Sequence, residues 1–332
     1  MKTLLLTEGD VKRLLTMEES IGEVEAAFRM RGLGRTQMPP KQYLFFDKYN
    51  GDLRTMPSYL EDTDTVAVKV VNSHPENPLK HGLPAVMATI LLVDPQTGVP
   101  KAIMGGNWIT ALRTGAAGAI AAKYLANPNS KFVGMVGAGQ QARTQLAGLQ
   151  SVFESVQEVR VWDVNAKASE QFAEEANAQY DPLNVVRCES VEETVKEADI
   201  VVTATPSRKP LIMKEWIRQG THLNCIGADA PGKQELDPAI LKAAKIVVDD
   251  WDQASHGGEI NVAISKGLLK REDVWSDICQ VVSHLKAGRT SPTEVTVFSS
   301  TGLAIQDAAL ASAAYSKALE RNVGQFVEIM NT

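Results

Sequence analysis

The sequence predicts an α/β protein built in two parts, and three observations support this prediction. From residue 131 to residue 250, apolar segments alternate with helical or turn stretches, which is the pattern of βαβ units around a parallel sheet. Residues 42–105 instead carry short strand-like runs separated by turns, a pattern typical of an antiparallel or mixed sheet. A long helical pattern, Leu303 to Asn322, follows near the end of the sequence.

Length and composition agree with two folded domains and argue against several kinds of partner. The 332 residues are 44% hydrophobic and 22% charged, close to the average of globular proteins, so a large core is possible. The net charge of −6 and the lack of a long basic run argue against a nucleic-acid partner. The longest early apolar run, Leu4 to Leu6, is too short for a signal peptide or a membrane span. We therefore expect a cytoplasmic protein that does not bind membranes.

The spacing of cysteine and histidine gives no sign of a disulfide framework or a metal site. Cys188, Cys225 and Cys279 are far apart and odd in number, so neither a disulfide framework nor a C-x-x-C site fits. The five histidines do not show the H-E-x-x-H spacing of a zinc site. We expect no bound metal.

Two helical segments lie on either side of the strand-like runs. Thr16 and Glu19 form a capping box at the start of the first, and apolar residues from Ile21 to Phe28 recur at helical spacing. Residues 107–126 form the second, which is very rich in Ala and Gly. Arg113 lies within it, and a large cation among small residues indicates a closely packed helix with one long side chain that reaches an anion.

The stretch KFVGMVGAGQQARTQLAGL is the most informative local motif. A strand-like run leads into Gly137 and Gly139 and a helical pattern follows, which is G-x-G-x-x-A in the context that dinucleotide binding requires. Gly137 permits the tight turn, Gly139 lets the backbone approach a pyrophosphate, and Ala142 allows close packing of helix on strand. The helix N-terminus offers N–H groups to the phosphates. The motif predicts a Rossmann domain, and a tight βα turn without a ligand is the alternative.

The acid at the end of the next strand favours NAD over NADP. The run Val159 to Trp162 ends in Asp163, at about the distance expected for the acid that accepts hydrogen bonds from the adenosine ribose. A carboxylate there also repels a 2′-phosphate. Lys167 lies nearby and acts in the opposite sense.

Several polar residues outside this loop leave two interpretations open. Lys69 interrupts the apolar run VAVKVV, so it is either a buried lysine with a lowered pKa that could act as a base or an outward-facing residue of an alternating strand. Lys41 and Arg54 could clamp a carboxylate or be solvated surface charges. Asp229 follows the apolar run that begins at Leu223. It is either a turn former or a carboxylate at the carboxyl end of a buried strand, where open parallel sheets bind ligands.

Eight stretches together resemble the ornithine cyclodeaminase/μ-crystallin family, and within it the archaeal-type alanine dehydrogenases: PPKQYL, LRTMPSY, VAVKVVNSHP, ALRTGAAGAIAAKYLA, GAGQQA, IGADAPGKQELD, HGGEINVA and STGLAIQD. The match extends in order over nearly the whole chain. The resemblance implies a Rossmann NAD-binding domain over residues 116–301. It also implies an α+β substrate and dimerisation domain formed by residues 1–115 with residues 302–332, and a homodimer.

The resemblance further implies roles for individual residues. Lys69 and Asp229 match the catalytic positions, and Lys41, Arg54 and Arg113 match positions that hold the substrate. The implied cofactor contacts form a larger set: Arg113, Gly137, Gly139, Gln140, Gln141, Asp163, Thr203, Thr205, Ala228, Lys233 and Ser300.

Three of these positions separate members of the family. The ornithine-using enzymes carry an acid where Arg54 stands, and the μ-crystallins lack the aspartate and prefer NADPH, whereas this sequence keeps Asp229 and has Asp163. The resemblance therefore implies an enzyme, an NAD-dependent dehydrogenase that converts L-alanine reversibly to pyruvate and ammonia. An ornithine cyclodeaminase or cyclic imine (ketimine) reductase is one alternative. A non-catalytic, cofactor-dependent small-molecule binding protein like μ-crystallin is the other.

Overall fold

The computed structural model describes residues 2–329 of the chain. The chain divides into two compact units, Met1–Arg113 with Leu303–Thr332 and Thr114–Gly302. The sequence places the domain boundaries after residues 115 and 301. The assignment of one domain to the substrate and the other to the cofactor stays a prediction. Residues 1 and 330–332 of the predicted first domain lie outside the described residues.

The strands and helices follow one another along the chain, and their bounds are as follows. The strands are β1 (Lys2–Leu6), β2 (Thr36–Gln37), β3 (Gln42–Phe46), β4 (Gly51–Leu60), β5 (Thr65–Ser73), β6 (Val86–Val93), β7 (Pro100–Gly105), β8 (Phe132–Val136), β9 (Glu158–Trp162), β10 (Asn184–Arg187), β11 (Ile200–Thr203), β12 (His222–Cys225), β13 (Lys245–Val248), β14 (Val274–Asp277), β15 (Thr296–Ser299) and β16 (Gln325–Glu328). The α-helices are α1 (Glu8–Leu14), α2 (Met17–Gly32), α3 (Asn77–Lys80), α4 (Asn107–Leu125), α5 (Gln140–Val152), α6 (Ala166–Gln179), α7 (Val191–Val195), α8 (Pro238–Ala243), α9 (Trp251–Gly257), α10 (Asn261–Ser265), α11 (Ile278–Val282) and α12 (Ala304–Arg321).

The first unit is built on a mixed sheet, as the strand-like runs predicted. Its strand order is β16-β1-β7-β6-β5-β4-β2, and β3 also pairs with β4. Neighbouring strands are antiparallel apart from β1 and β7, which are parallel. Helix α12 packs on β4, β5 and β6, and α2 packs on α12. Buried and half-buried residues alternate along most of β5, so one face of the sheet forms the core with α12.

The second unit is built on a parallel sheet of the Rossmann type. Its strand order is β10-β9-β8-β11-β12-β15-β13-β14, with neighbouring strands parallel. Strands β11, β12 and β15 are buried along their whole length, as expected for a sheet covered on both faces. The first five strands of this order follow the 3-2-1-4-5 arrangement of a Rossmann domain, which confirms the predicted fold class. The order reverses between β8 and β11, where open sheets of this kind bind ligands.

The small residues of the second predicted helix are explained by its packing on α5. A Cβ added to Gly118 would lie 2.0 Å from Oε1 of Gln145, and one added to Gly148 would lie 2.7 Å from the carbonyl oxygen of Gly115. All four residues belong to the second unit. Larger side chains would therefore force α5 away from this part of α4.

Local signals at the start of the chain also appear as predicted. Thr16 caps α2, because its hydroxyl accepts a hydrogen bond from the N–H of Glu19 while the Glu19 carboxylate accepts one from the N–H of Thr16. Within residues 2–329, none of the helices combines the length and the apolar character that crossing a bilayer demands.

Candidate active site

The loop between β8 and α5 has the backbone that its sequence predicted. Gly137 adopts φ 103°, and an added Cβ would lie 2.7 Å from the carbonyl oxygen of Ala204. Its N–H donates to the carbonyl oxygen of Trp162 at 2.8 Å. Both the left-handed conformation and the close approach require glycine at this position.

The N-terminus of α5 offers a place for a phosphate group. Gly139 caps the helix, and a Cβ added there would meet no atom within 4 Å, so this side of the loop is open. Gln140 is exposed and Gln141 is half-buried, whereas Ala142 is fully buried against the core. Unpaired N–H groups in the first turn and the helix dipole favour an anion there. These residues therefore fit the pyrophosphate of a dinucleotide.

Asp163 ties the end of β9 to this loop. Its Oδ2 accepts a hydrogen bond from the N–H of Ala138 at 2.8 Å, and its Oδ1 accepts one from the N–H of Asn165 at 2.8 Å. A carboxylate oxygen can accept a second hydrogen bond, so the ribose contact stays compatible with this geometry. The position of the negative charge beside the glycine loop is fixed by the backbone of both segments.

The remaining predicted cofactor residues of the second unit lie at the carboxyl edge of the same sheet. Thr203 ends β11, Ala228 follows β12 and Ser300 follows β15. Thr203, Ala228 and Ser300 are buried, and the N–H of Ser300 donates to the carbonyl oxygen of Cys225 at 3.0 Å. Because β9, β8, β11, β12 and β15 are neighbours in the sheet, their carboxyl ends form one continuous edge.

A buried acid that the sequence reasoning missed, Glu235, connects two of these strand ends. Its carboxylate accepts hydrogen bonds from the Thr203 hydroxyl at 2.6 Å, from the Thr205 hydroxyl at 2.6 Å and N–H at 2.8 Å, and from the N–H of Gly227 at 3.0 Å. Burial raises the pKa of Glu235, and the bonds from the threonines oppose that shift. The hydroxyls of Thr203 and Thr205 are thus committed to Glu235 as donors and can meet a ligand only as acceptors.

A second buried acid holds Glu235 in turn. The carboxylate of Glu259 accepts hydrogen bonds from the N–H groups of Glu235 and Leu236, the shortest at 2.7 Å. The N–H of Glu259 donates to the Ser299 hydroxyl at 3.0 Å, which links this network to β15. Burial raises the pKa of Glu259 well above its usual value, and the charge of Glu235 adds to the effect.

Asp229 lies in the loop after β12 and is paired within that loop. Lys233 donates to its Oδ1 from Nζ at 2.6 Å, and the Asp229 side chain is 38% exposed. The side chain of Asn261 holds the same loop, since it accepts from the N–H of Gly232 and donates to the carbonyl oxygen of Lys233. The predicted catalytic acid and a predicted cofactor cation therefore form one ion pair on an anchored, accessible loop.

In the first unit, Lys69 faces the core, so the outward-facing interpretation is wrong. The register places it opposite Met56 of β4 and Ile90 of β6, on the buried face under α12. Its side chain is 1% exposed, and Nζ lies 2.7 Å from both carboxylate oxygens of Asp307. The partner comes from the first turn of α12.

Arg113 reaches the same helix, which supplies the anion that its position predicted. Its Nη1 donates to Oε1 of Gln306 at 3.2 Å, and its Nε lies 3.4 Å from Oδ1 of Asp307. Burial lowers the pKa of Lys69 to about 7; the Asp307 carboxylate opposes the shift, and the positive charges of Arg113 and Lys41 add to it. A lysine that changes charge near neutral pH is suited to proton transfer.

Arg54 lies on the same face of the sheet and already holds a carboxylate. Its Nε and Nη2 donate to the two oxygens of Asp52 at 3.1 and 2.9 Å, and its guanidinium lies over the ring of Tyr43. Both partners of this pair are about 15% exposed, so Arg54 is neither fully solvated nor fully buried. The register brings Arg54 opposite Val71, two residues along β5 from Lys69.

The structure thus assembles a lysine with near-neutral pKa among arginine and lysine side chains in one unit, and a dinucleotide-type loop in the other. Sequence reasoning missed four acids that hold these side chains and loops: Asp52, Glu235, Glu259 and Asp307. A signal existed for Asp307, because an acid among the small residues of α12 resembles the case of Arg113 in α4. Within residues 2–329, no group of three or more His, Cys, Asp or Glu side chains is arranged to hold a metal ion.

Comparison with known proteins agrees with this geometry. The model of the ornithine cyclodeaminase/mu-crystallin family matches residues 1–322. An alanine dehydrogenase of Archaeoglobus fulgidus is 51% identical over 328 residues, which are 99% of this chain and 99% of that protein. A solved archaeal alanine dehydrogenase dimer with bound NAD has a TM-score of 0.95 at 51% identity, covering 99% of this chain and 100% of its own. The Thermococcus litoralis Δ1-pyrroline-2-carboxylate reductase, solved with NADH and L-proline, has a TM-score of 0.94 at 41% identity, covering 98% and 100%. The chain therefore belongs to the ornithine cyclodeaminase/mu-crystallin family.

Proposed function

We propose that this protein is an NAD-dependent amino acid dehydrogenase that oxidises L-alanine reversibly to pyruvate and ammonia. The substrate rests on one observation, the 51% identity over nearly the whole chain to the alanine dehydrogenase of Archaeoglobus fulgidus. The buried Lys69, with its pKa of about 7, supports the proton transfers that deamination requires. A homodimer is part of the proposal, because the archaeal relative was solved as a dimer.

The cofactor is NAD. The glycine loop and the N-terminus of α5 fit a pyrophosphate, and two solved relatives hold NAD or NADH. When bound, NAD supplies the acceptor for the hydride that leaves Cα of the amino acid. The residues proposed to hold it are Arg113, Gly137, Gly139, Gln140, Gln141, Asp163, Thr203, Thr205, Ala228, Lys233 and Ser300.

Lys69 and Asp229 are the proposed catalytic residues. A neutral Lys69 can accept a proton from the substrate ammonium or from the water that attacks the imine, and return it in the reverse reaction, with a typical contribution of about 10²- to 10⁴-fold in rate. Asp229 carries a negative charge that stabilises the cationic imine as it forms. Both residues are unchanged at the end of the reaction: Lys69 releases each proton that it takes up, and Asp229 acts only through its charge.

Arg54, Lys41 and Arg113 are the proposed anchors of the substrate carboxylate. Charge-assisted hydrogen bonds of this kind contribute roughly 1.5–3 kcal/mol each. Arg54 donates to both carboxylate oxygens of Asp52, and the proposal assigns the same kind of two-point contact to the substrate carboxylate. An arginine at this position repels the distal ammonium of ornithine, which argues against the cyclodeaminase alternative.

Reduction of a cyclic imine is the second candidate function. It is favoured by the 41% identity to the Thermococcus litoralis Δ1-pyrroline-2-carboxylate reductase, which was solved with L-proline. Both reactions reduce a carbon–nitrogen double bond beside a carboxylate, so the same cations would serve either substrate.

Absorbance of NADH distinguishes these functions. The purified protein is incubated with NAD and L-alanine, with NADH, pyruvate and ammonium, and with NADH and Δ1-pyrroline-2-carboxylate. NADH formation from L-alanine and its oxidation by pyruvate with ammonium are expected. Turnover of the cyclic imine alone would overturn the alanine assignment in favour of the second candidate. Ornithine conversion without net NADH would indicate a cyclodeaminase, and NAD binding without any turnover would indicate a binding protein.

A further inference from the structure

We propose that Asp307 is the positioning residue for Lys69, because both carboxylate oxygens of Asp307 contact the Lys69 amine. Arg113 weakens this contact, because its guanidinium interacts with the same carboxylate. The inference rests on the proposed function in that Lys69 is the proton-transfer group. It assigns a role to a buried acid whose place in the chain, on the first turn of α12, is 238 residues from Lys69.

The contact between the two residues fixes the position of the amine. Nζ of Lys69 lies 2.7 Å from each oxygen of Asp307, and both side chains are 1% exposed. A lysine side chain has four flexible bonds, so an unpaired amine would have no defined place on the face of the sheet. Because β5 and α12 are packed against each other, the carboxylate is a fixed point and the amine follows it.

Asp307 lies at the N-terminal end of a long helix. It stands in the first turn of α12, an 18-residue helix, where the partial positive charge of the N-terminus stabilises an anion. Gln306, next to it, accepts a hydrogen bond from the N–H of Leu303 and so fixes this first turn. The Asp307 carboxylate next to Lys69 therefore belongs to a first turn that is held by its own hydrogen bond.

Arg113 competes with Lys69 for that charge. Its Nε lies 3.4 Å from the Oδ1 atom of Asp307 that Lys69 also contacts. Among the described residues, the charged groups that act on Lys69 are the acid Asp307 and the cations Arg113, from α4, and Lys41, from the segment before β3. The acid raises the pKa of Lys69 and both cations lower it, and burial lowers it most.

Asp307 and Arg113 have opposite effects on the pKa of Lys69, so removing each of them should shift the pH profile of activity in opposite directions. Deamination needs neutral Lys69, so kcat/KM for L-alanine should rise with pH through the pKa of this lysine. Asp307→Asn removes the opposite charge and should move this acidic limb to lower pH, by about 1–3 units for a close ion pair. Arg113→Gln removes a like charge and should move the limb to higher pH. Glu76→Gln breaks an exposed Lys–carboxylate pair with Lys80 in the same unit and should leave the limb in place.

A stability measurement tests the same contact without turnover. The free energy of unfolding is measured against pH for the wild type and for Lys69→Met, and the difference isolates the contribution of Lys69. Lys69 has a folded-state pKa below its unfolded value, so this difference should rise with pH from about 7 upward. In the Asp307→Asn background the rise should begin at lower pH.

The two measurements separate the failure of this inference from the failure of the proposed function. Limbs and stability curves that stay in place in Asp307→Asn, with only a lower melting temperature, would overturn the inference and leave Asp307 as a packing residue. A shifted stability curve in a protein that does not turn over L-alanine would support the inference and overturn the substrate. Should Asp307→Asn fail to fold, Arg113→Gln carries the test, and an unmoved or acid-shifted curve in that variant overturns the inference.

Discussion

Removing a lysine from water is unfavourable unless its charge is paired with an opposite charge or lost by deprotonation. Lys69 is paired with a carboxylate, and its pKa is also lowered. Its carboxylate partner, Asp307, offsets only part of the lost hydration, so the pKa of Lys69 falls to about 7 and not to a far lower value. Breaking a buried pair of this kind by removing one partner typically costs about 3–5 kcal/mol of stability. A buried ion pair that is this sensitive to mutation is expected where charged groups perform a task that apolar residues could not. Proton transfer by Lys69 would be such a task.

Asp229 is expected to act through its charge and not through its shape. Asp229→Asn keeps the size of the side chain and its ability to accept from Lys233 but removes the charge that we propose to stabilise a cationic imine. We expect kcat to fall by about 10²-fold or more, roughly 2.7 kcal/mol, with the melting temperature and NAD affinity near those of the wild type.

The matched control for this change lies in the same segment. Asp237 caps α8 by accepting from the N–H of Ala239, and asparagine caps a helix about as well as aspartate. Asp237→Asn should leave kcat unchanged. Full activity in Asp229→Asn would mean that Asp229 only shapes its turn.

Arg54 is expected to contribute to substrate binding. Arg54→Gln removes the charge that would hold the carboxylate of pyruvate, so its KM should rise by roughly tenfold or more. Glutamine is used because glutamate would stand beside Asp52 and add a repulsion unrelated to the substrate.

A similar pair on another strand provides the control for Arg54. Arg160 on β9 pairs with Glu158 two residues earlier, as Arg54 pairs with Asp52. Arg160→Gln should leave the KM for pyruvate unchanged. An equal effect in both variants, or none in Arg54→Gln, would remove Arg54 from the substrate site.

At the scale of elements, the end of β9 is expected to set cofactor choice. The wild type should show a higher kcat/KM with NAD than with NADP, because Asp163 repels a 2′-phosphate. Asp163→Ser removes that repulsion and should narrow the ratio by roughly tenfold or more. The ratio is the correct measure, since the variant also loses a hydrogen bond from Ala138 and both cofactors should bind less well.

An acid elsewhere in the same sheet serves as the control. Asp250 follows β13 and caps α9, and serine is an equally good cap. Asp250→Ser should leave the NAD to NADP ratio unchanged. A wild-type preference for NADP, or an unchanged ratio in Asp163→Ser, would contradict the role of Asp163.

Elements with local signals were predictable, and contacts across the sequence were not. The capping box of α2 and the glycine loop before α5 depend on residues a few positions apart, and both form as predicted. The direction of Lys69 was undetermined, because β5 has apolar residues on both faces and only the packing of α12 selects one. Strand β1 also escaped prediction, since five residues show no clear alternation and its identity as a strand comes from pairing with β7 and β16.

Glu235 shows the same limit for the networks at the strand ends. Its partners Thr203, on β11, and Thr205, just after β11, are about thirty positions away. The sequence around Glu235 resembles an ordinary polar loop. Its effect is to fix Thr205 and Gly227 against each other, at contact distances that leave no room for a Cβ at Gly227. The loops that carry the predicted cofactor residues are therefore rigid for a reason that only the tertiary structure reveals.

At the scale of the whole molecule, the proposed homodimer makes a prediction about the surface of the first unit. Strand β3 exposes Leu44 and Phe45 by 60% and 69%, and Tyr43 by 40%, although it belongs to a folded sheet. Clustered apolar side chains of this kind mark interaction surfaces in soluble proteins. Light scattering should give a mass about twice the 36.0 kDa of the chain. The double change Leu44→Lys with Phe45→Glu should shift the protein toward the monomer by removing apolar contact area.

The control for this prediction is an exposed apolar residue away from β3. Leu79 is 93% exposed on α3, so Leu79→Lys should change the surface charge without changing the mass. A monomeric wild type would contradict the proposed dimer outright. If the double variant is still a dimer, the proposed homodimer stands but its interface does not involve β3. Since Tyr43 on this strand lies under the guanidinium of Arg54, loss of the interface should also raise the KM for pyruvate, which would link assembly to the proposed substrate contact of Arg54.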